Sequence, residues 1–134
     1  MNFYNNAKEV YLAAESLCEN GHYRMSVCNS CLAIELFLKS RLNLVNGWEK
    51  YEFSHDVVNI YRHLLKRFPA KTDLTKVITF GRKYFNESRY PHGGTEIYTF
   101  NFAQEFLEYV ESVKSYIDNE CIANIDDLKE KFSQ

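Results

Sequence analysis

Apolar residues recur at intervals of three and four along the first part of the chain, a spacing that places them on one face of an α-helix. This pattern predicts a first helix over residues 3–17. Asn20-Gly21 should end it, because glycine readily takes the left-handed conformation at a helix C-terminus and asparagine tolerates it. A second helical run follows over residues 23–44.

The second run is apolar on nearly every side between Met25 and Leu38. A helix with no polar face is buried all round, so we expect it at the centre of the fold, covered by neighbouring helices or by a second subunit. Glu35 lies in the middle of this run. A carboxylate there must be paired, hydrogen-bonded or protonated, since burying an isolated charge is costly.

Two more helices are predicted in the central part of the chain. The third should begin with Ser54 as its N-cap and stop at Pro69, which cannot continue a helix. The fourth should be capped by Thr72 or Asp73. It carries Gly81 within its pattern, where another helix can approach closely.

A fifth helix is predicted at Asn101, which forms a capping-box pattern with Gln104 three residues later. Residues 124–132 carry a few apolar side chains at helical spacing, typical of a short helix or a frayed tail. No strand-like alternation extends beyond a few residues. The sequence therefore predicts an all-α fold: an up-and-down antiparallel bundle of about five helices over residues 1–120, followed by a tail or short helix over residues 121–134.

The composition is that of a single globular domain. The 134 residues are 46% hydrophobic and 16% aromatic, and a chain of this length buries about two-thirds of its unfolded surface without a metal or a disulfide. The formal net charge of −2 argues against broad, sequence-independent binding of nucleic acid, which requires many cations. Because neither a secretory signal nor a run of ~18 apolar residues is evident, we expect a cytoplasmic protein with no membrane association.

The four cysteines give no sign of redox or metal chemistry. Cys28 and Cys31 have C-x-x-C spacing, but they lie within a helical run and no second pair of ligands accompanies them. We expect all four cysteines to be reduced and to act as small buried apolar side chains. Neither a metal nor a cofactor is predicted.

The segment at residues 86–94 is the strongest local signal for function. Arg89, Tyr90 and His92 lie within four residues of one another, Pro91 restrains the backbone, and two glycines then free it. We expect this segment to be a charged, aromatic loop between the fourth and fifth helices. A simple connector rarely needs that combination.

Three segments, in this order and spacing, resemble the HEPN (higher eukaryotes and prokaryotes nucleotide-binding) domain. They are CLAIELFLKSRL at residues 31–42, SHDV at residues 54–57 and SRYP at residues 88–91. The resemblance covers nearly the whole chain and implies a helical bundle, usually a homodimer. It also implies one of three roles: partner of a nucleotidyltransferase in a toxin–antitoxin or defence module, nucleotide-binding module, or metal-independent ribonuclease.

The ribonuclease members of this family carry Arg, four to six residues, and then His. This chain departs from that pattern, since only two residues separate Arg89 from His92. Lys50 and His55 have the right interval, but a lysine lacks the planar, forked guanidinium. The resemblance therefore favours a binding module over a ribonuclease, with a variant catalytic site at Arg89 and His92 as the alternative.

The resemblance and the charged segment together define the candidate nucleotide-binding residues. They are Arg89, His92, Tyr90, His55, Glu35, Arg82 and Lys83. Arg89 is the leading phosphate contact, because its fork binds phosphate oxygens in a bidentate manner. Its alternative role is an ion pair with Glu35 or Glu87 that pins the segment onto the bundle.

The other candidates also have structural alternatives. His55 either lines the site or completes a hydrogen bond beneath the aromatic linker that precedes it. His92 is either a ligand-binding or proton-transfer group or an exposed loop residue. Arg82 and Lys83 either add positive charge to the same cleft or form a solvated helix face.

Three hypotheses of function follow. The first is a non-catalytic HEPN-type module that binds a nucleotide or RNA near Arg89 and acts with a nucleotidyltransferase-type partner. The second is a ribonuclease toxin with the variant site. The third is a structural homodimeric adaptor. A homodimer is expected in each case, because the apolar second helix needs cover on all sides.

Overall fold

The computed structural model of the chain describes residues 2–90 and 96–123. These residues form five α-helices and one 3₁₀ helix, with no strand among them. The elements in chain order are α1 (Phe3–Glu19), α2 (Tyr23–Leu42), a 3₁₀ helix (Trp48–Tyr51), α3 (Val57–Leu65), α4 (Thr75–Arg89) and α5 (Phe100–Asn119). The predicted all-α helical bundle is confirmed. The segment predicted as a tail or short helix over residues 124–132 lies outside the described residues.

Helix α2 lies at the centre of the bundle and contacts α1, α3, α4 and α5. Ile34, Phe37 and Leu38 on this helix are fully buried. At the first turn the neighbouring helices do not cover Met25, which is 41% exposed, so the prediction that a second subunit completes the cover stays a prediction there. The exposed residue Gly21 brings the chain in from the surface with φ +83°, so α2 begins at the edge of the bundle.

The start of α3 differs from the prediction by two residues. Asp56, not Ser54, is the N-cap, and its Oδ1 accepts hydrogen bonds from the N–H groups of Val58 (3.1 Å) and Asn59 (3.3 Å). A carboxylate suits this position because it also faces the positive end of the helix dipole. Ser54 Oγ accepts a bond from the Asp56 N–H at 3.1 Å. The resulting turn carries His55.

The starts of α4 and α5 also differ from the predicted caps. Leu74 occupies the N-cap position of α4, while Asp73 Oδ1 accepts bonds from the N–H and the hydroxyl of Thr75 at 2.9 and 2.6 Å. Thr99 caps α5 by accepting a bond from the Phe102 N–H at 3.2 Å. The predicted capping box at Asn101 therefore lies within the first turn of the helix.

The C-terminal end of α4 corrects the predicted loop. The helix continues through Arg89, so the first four residues of the segment at 86–94 are helical. Ser88 is fully buried, and its carbonyl accepts a bond from Arg24 on α2. Tyr90 leaves the helix with φ −127° and ψ 88°, as expected for a residue that precedes proline. Residues 91–95 lie outside the described ranges.

Gly81 lies where α4 packs against α2. A Cβ atom at this position would lie 3.4 Å from Ile34 Cδ1, an ordinary van der Waals distance. The helices therefore meet at this glycine as predicted, although the space there does not require glycine. Gly81 also lines the cleft that contains most of the candidate residues.

Candidate functional site

A cleft of about 570 Å³ lies between α2, the start of α3 and α4. Four of the seven candidate residues line it: Glu35, His55, Arg82 and Arg89. Its remaining lining residues are Cys31, Leu32, Asp56, Val57, Gly81, Phe85 and Asn86. The structure thus brings together side chains from three separate parts of the sequence. We refer to this feature as the α2–α4 cleft.

Helical spacing decides which residues of α4 reach the cleft. Arg82, Phe85, Asn86 and Arg89 follow one another at intervals of three, one and three, so they share one face of the helix. Lys83 is rotated by about 100° from Arg82 and does not line the cleft. Its ammonium lies 5.2 Å from the ring centre of Tyr84. The expectation that both cations add charge to one cleft holds for Arg82 only.

Glu35 is a buried carboxylate with two partners. It is 5% exposed, and its Oε2 lies 3.4 Å from Lys39 Nζ and 3.2 Å from His55 Nδ1. The sequence-based requirement for a partner is confirmed. Lys39 follows Glu35 by one helical turn and is itself 7% exposed, so the two charges are removed from water together.

His55 lies at the mouth of the cleft. Its side chain is 77% exposed although one ring nitrogen contacts Glu35. This corrects the expectation that the ring completes a hydrogen bond beneath the aromatic linker. With the proton on Nδ1, the imidazole donates to the carboxylate and leaves Nε2 as an acceptor.

Arg82 and Asp56 form an exposed ion pair on the same side of the cleft. Arg82 Nη1 lies 3.5 Å from Asp56 Oδ1, and about half of the arginine side chain is exposed. A pair of this length and exposure contributes little to stability. The weak ion pair with Asp56 therefore keeps Arg82 near the cleft and still allows Arg82 to contact a ligand.

Arg89 is held by aromatic rings and not by a carboxylate. Its guanidinium carbon lies 4.8 Å from the Phe85 ring centre and 5.2 Å from the Tyr90 ring centre. Its Nη2 donates to the Tyr90 hydroxyl at 3.2 Å. Among the described residues no ion pair joins Arg89 to Glu35 or to Glu87, so the predicted structural pair is wrong.

Two candidate residues of the charged segment, Tyr90 and His92, are not among the described residues that line the cleft. Tyr90 is 55% exposed and packs on Arg89 without lining the cleft. His92 lies outside the described residues, so its predicted role stays a prediction. The variant site at Arg89 and His92 is likewise untested.

Asp56, Phe85, Asn86 and Lys39 belong to the site but were not among the predicted residues. The first three line the cleft, and the fourth holds Glu35. The helical rule of three- and four-residue intervals identifies Phe85 and Asn86 from Arg82 and Arg89, and Lys39 from Glu35. Asp56 belongs to the SHDV segment that carries the family resemblance, but its place in the cleft depends on how the linker folds over α2.

The cleft combines two arginines, an imidazole and the carboxylates of Glu35 and Asp56, without a nucleophilic thiol. Burial, and next the neighbouring Cys28, raises the pKa of Cys31, so this thiol stays protonated at neutral pH. All four cysteines are free, as predicted. In the described residues no group of three or more His, Cys, Asp or Glu side chains could hold a metal ion.

Comparisons with known proteins bear on the family and not on a specific activity. None of the curated proteins and none of the solved structures matches the chain. No helix in the described part of the chain has the length and apolar character needed to cross a membrane. The HEPN domain family matches residues 1–120, which contain every residue of the cleft. The chain therefore belongs to the HEPN domain family.

Proposed function

We propose that this HEPN domain binds a phosphate-bearing ligand, either a nucleotide or a short stretch of RNA, in the α2–α4 cleft. The observation that supports the proposal is that Arg82, Arg89 and His55 share one cleft of about 570 Å³. Arginine forks bind phosphate oxygens in a bidentate manner. Two of them along one helix face offer contacts to neighbouring phosphates or to several oxygens of one phosphate.

The overall charge of the chain favours recognition of a phosphate at a local site over binding to a broad positive surface. The chain carries a formal net charge of −2, so it lacks the general positive field that attracts long nucleic acids. The Glu35 carboxylate within the cleft is buried and compensated by Lys39. The proposed role of Glu35 is to position His55, while the phosphate meets the arginines.

A titration with ATP and with a short single-stranded RNA, followed by calorimetry, tests this proposal. Replacing either cleft arginine, as in Arg82→Ala or Arg89→Ala, should weaken binding by about tenfold or more, since each removes a charge-assisted contact. Lys83→Ala is the matched control, because it removes the same charge from the adjacent residue outside the cleft. Equal affinities for all four proteins, or no binding by the unaltered chain, would contradict the proposal.

The partner is part of the same proposal. Family membership supports a nucleotidyltransferase-type protein as the second component and a homodimer as the working form. Large apolar side chains that stand exposed, including Phe53, Ile97 and Phe100, are consistent with further contacts. Light scattering coupled to gel filtration tests the dimer, and a stable monomer at micromolar concentration would contradict it.

Ribonuclease activity is a second candidate, and the contact between His55 and Glu35 favours it. A buried carboxylate that orients an exposed imidazole is a familiar arrangement for proton transfer. The two arginines could then stabilise the charge that develops on a phosphorus centre. In this form of the hypothesis His55 takes the role that the sequence suggested for His92.

Digestion of labelled RNA separates this candidate from simple binding. If His55 transfers a proton, His55→Ala should reduce cleavage by at least about 100-fold, the lower range for loss of an acid–base group. His22→Ala is the control, since His22 is exposed and makes no capping hydrogen bond. RNA that remains intact with the unaltered protein would exclude the candidate.

A further inference from the structure

His63 on α3 is a buried histidine that the proposed function does not use. It is 5% exposed, and neither of its ring nitrogens has a hydrogen-bond partner among the described residues. Buried polar groups are nearly always paired, because an unpaired one costs free energy. The cause of this exception must therefore be sought in what surrounds the ring.

The imidazole is covered by residues 47–54, the part of the connection between α2 and α3 that contains the 3₁₀ helix. We call these residues the cover segment. The centre of the Tyr51 ring lies 4.7 Å from the centre of the imidazole. At the other end of the 3₁₀ helix, a Cβ atom on Gly47 would lie 3.6 Å from His63 Cε1. The cover segment therefore packs on His63 at both ends of this short helix.

The charged groups around His63 oppose its protonation. Burial is the largest cause of its lowered pKa, and the charges of Lys66 on α3 and Lys50 in the 3₁₀ helix lower the pKa further. The backbone at Asn46 acts in the opposite direction, and no carboxylate is among the described groups that act on the ring. A proton on His63 therefore adds a third positive charge beside two lysines, without a counter-ion.

The cover segment is held less firmly than the helix beneath it. The N–H groups of Lys50, Glu52 and Ser54 donate hydrogen bonds that stay within the segment, at 3.4, 3.4 and 3.0 Å. No residue of the 3₁₀ helix is buried, whereas Ile60 and Leu64 on α3 are fully buried. Since segments with few buried side chains open first, the cover segment should open before α3 does.

We infer that the cover segment is an acid-sensitive latch: when His63 takes up a proton, residues 47–54 detach from α3 while the five helices stay folded. Detachment lets water solvate the imidazolium, which removes the cost of burying a charge without a counter-ion. The segment leads directly into His55, which contacts Glu35 at the mouth of the α2–α4 cleft. The latch therefore acts on the stretch of chain that carries His55, whether or not a ligand binds there.

Hydrogen exchange of backbone amides, followed by NMR at pH 7.5 and pH 5.0 and corrected for intrinsic exchange rates, tests the inference. The probes are the amides of Lys50, Glu52 and Ser54, whose hydrogen bonds belong to the cover segment. In the detached form His63 titrates near the ordinary histidine pKa of about 6.5. The detached fraction should therefore rise, and the protection factors of these amides should fall, by about five- to thirtyfold at pH 5.0.

Urea distinguishes detachment from unfolding of the whole bundle. Detachment exposes little surface, so exchange of the cover-segment amides should hardly respond to low concentrations of urea. Amides in the middle of α5 exchange through global unfolding, and their exchange should accelerate steeply over the same concentrations.

Three histidine variants identify the group that takes up the proton. His63→Phe keeps a flat ring beneath Tyr51 but cannot bind a proton, so the protection factors should lose their pH dependence. His55→Gln and His22→Asn are the matched controls, because each removes an exposed imidazole. Both control variants should keep the pH dependence of the unaltered protein.

Three results would overturn the inference: equal protection of the cover segment at the two pH values, a urea dependence as steep as that of α5, or an unchanged pH dependence in a folded His63→Phe variant. The first two use the unaltered protein, so they decide the matter even if the substitution prevents folding. None of these measurements involves ATP or RNA, so variants of Arg82 and Arg89 decide the proposed function separately.

Discussion

Glu35 and His63 are two titratable side chains of the same core, each 5% exposed, and they are treated in opposite ways. Glu35 has an ammonium and an imidazole within 3.4 Å. His63 packs against the Tyr51 ring at 4.7 Å between centres, and neither of its ring nitrogens has a hydrogen-bond partner in the described residues. Glu35 lies beside two cationic groups, whereas the backbone at Asn46 is the one described influence that favours a charge on His63, and burial outweighs it.

This difference shows which buried group the fold supplies with charged partners. Burial lowers the pKa of His63, and positive charge at Lys66 lowers it further, so its neutral form is favoured. Glu35 instead contacts His55, which lines the α2–α4 cleft and is open to solvent. A buried charge is therefore retained next to the candidate site and excluded elsewhere in the same core.

The largest effect should come from removing Glu35. Glu35→Ala leaves the Lys39 ammonium buried without its partner, and breaking a buried pair in this way costs about 3–5 kcal/mol. Replacing both residues, in Glu35→Leu with Lys39→Leu, should recover most of that loss, because no charge then remains uncompensated. Urea unfolding of the two variants measures both free energies.

Lys114→Ala is the control for this prediction. Lys114 and Asp118 have the same four-residue spacing and are closer, with Nζ 2.7 Å from Oδ2, but both side chains are substantially exposed. The loss should be below about 1 kcal/mol. If Lys114→Ala costs as much as Glu35→Ala, burial is not what distinguishes the two pairs.

The pairing of Glu35 shows how far the sequence can be taken. The buried position follows from the apolar residues on every side, and the need for a partner follows from the cost of desolvation. Lys39, one turn away, could have been identified from spacing alone. His55 could not, because its contact depends on the path of the linker between α2 and α3 and on the rotation of α2.

The end of α4 shows a different limit. The proline, the two glycines and the charged residues before them predict a loop that begins at residue 86. Arg89 instead completes the helix, because the buried Ser88 and its bond from Arg24 hold the last turn against α2. A tertiary contact of this kind leaves no trace in the local sequence. The helical bundle was therefore predictable, whereas the side of the bundle to which each charge points was not.

A smaller effect is expected at Asp56, a carboxylate that has partners but is partly exposed. Asp56→Ala removes the N-cap of α3 and its ion pair with Arg82 and should cost about 1 kcal/mol. Asp56→Asn keeps a capping oxygen and should lower the free energy of unfolding by only roughly a few tenths of a kcal/mol. Thermal unfolding of the two variants measures the difference. Equal losses would assign the effect to the charge and not to the cap.

The smallest effect should be a pH dependence of stability that originates at His63. In the unfolded chain this histidine titrates near its ordinary pKa of 6.5, and in the folded protein its pKa is lower. Between these two values the unfolded state binds more protons, so stability falls as pH decreases through this window. The melting temperature should therefore be lower at pH 5 than at pH 7.5, and the difference should shrink in His63→Phe.

The acid groups with shifted pKa values do not obscure this test. Although burial opposes the shift, hydrogen bonds from Lys114 and Tyr4 lower the pKa of Asp118, so it remains charged throughout the range from pH 5 to 7.5. His22→Asn is the control for an exposed imidazole and should keep the full pH dependence. If His63→Phe keeps it as well, the unpartnered ring is not what makes the core sensitive to acid, and the contrast with Glu35 loses its energetic basis.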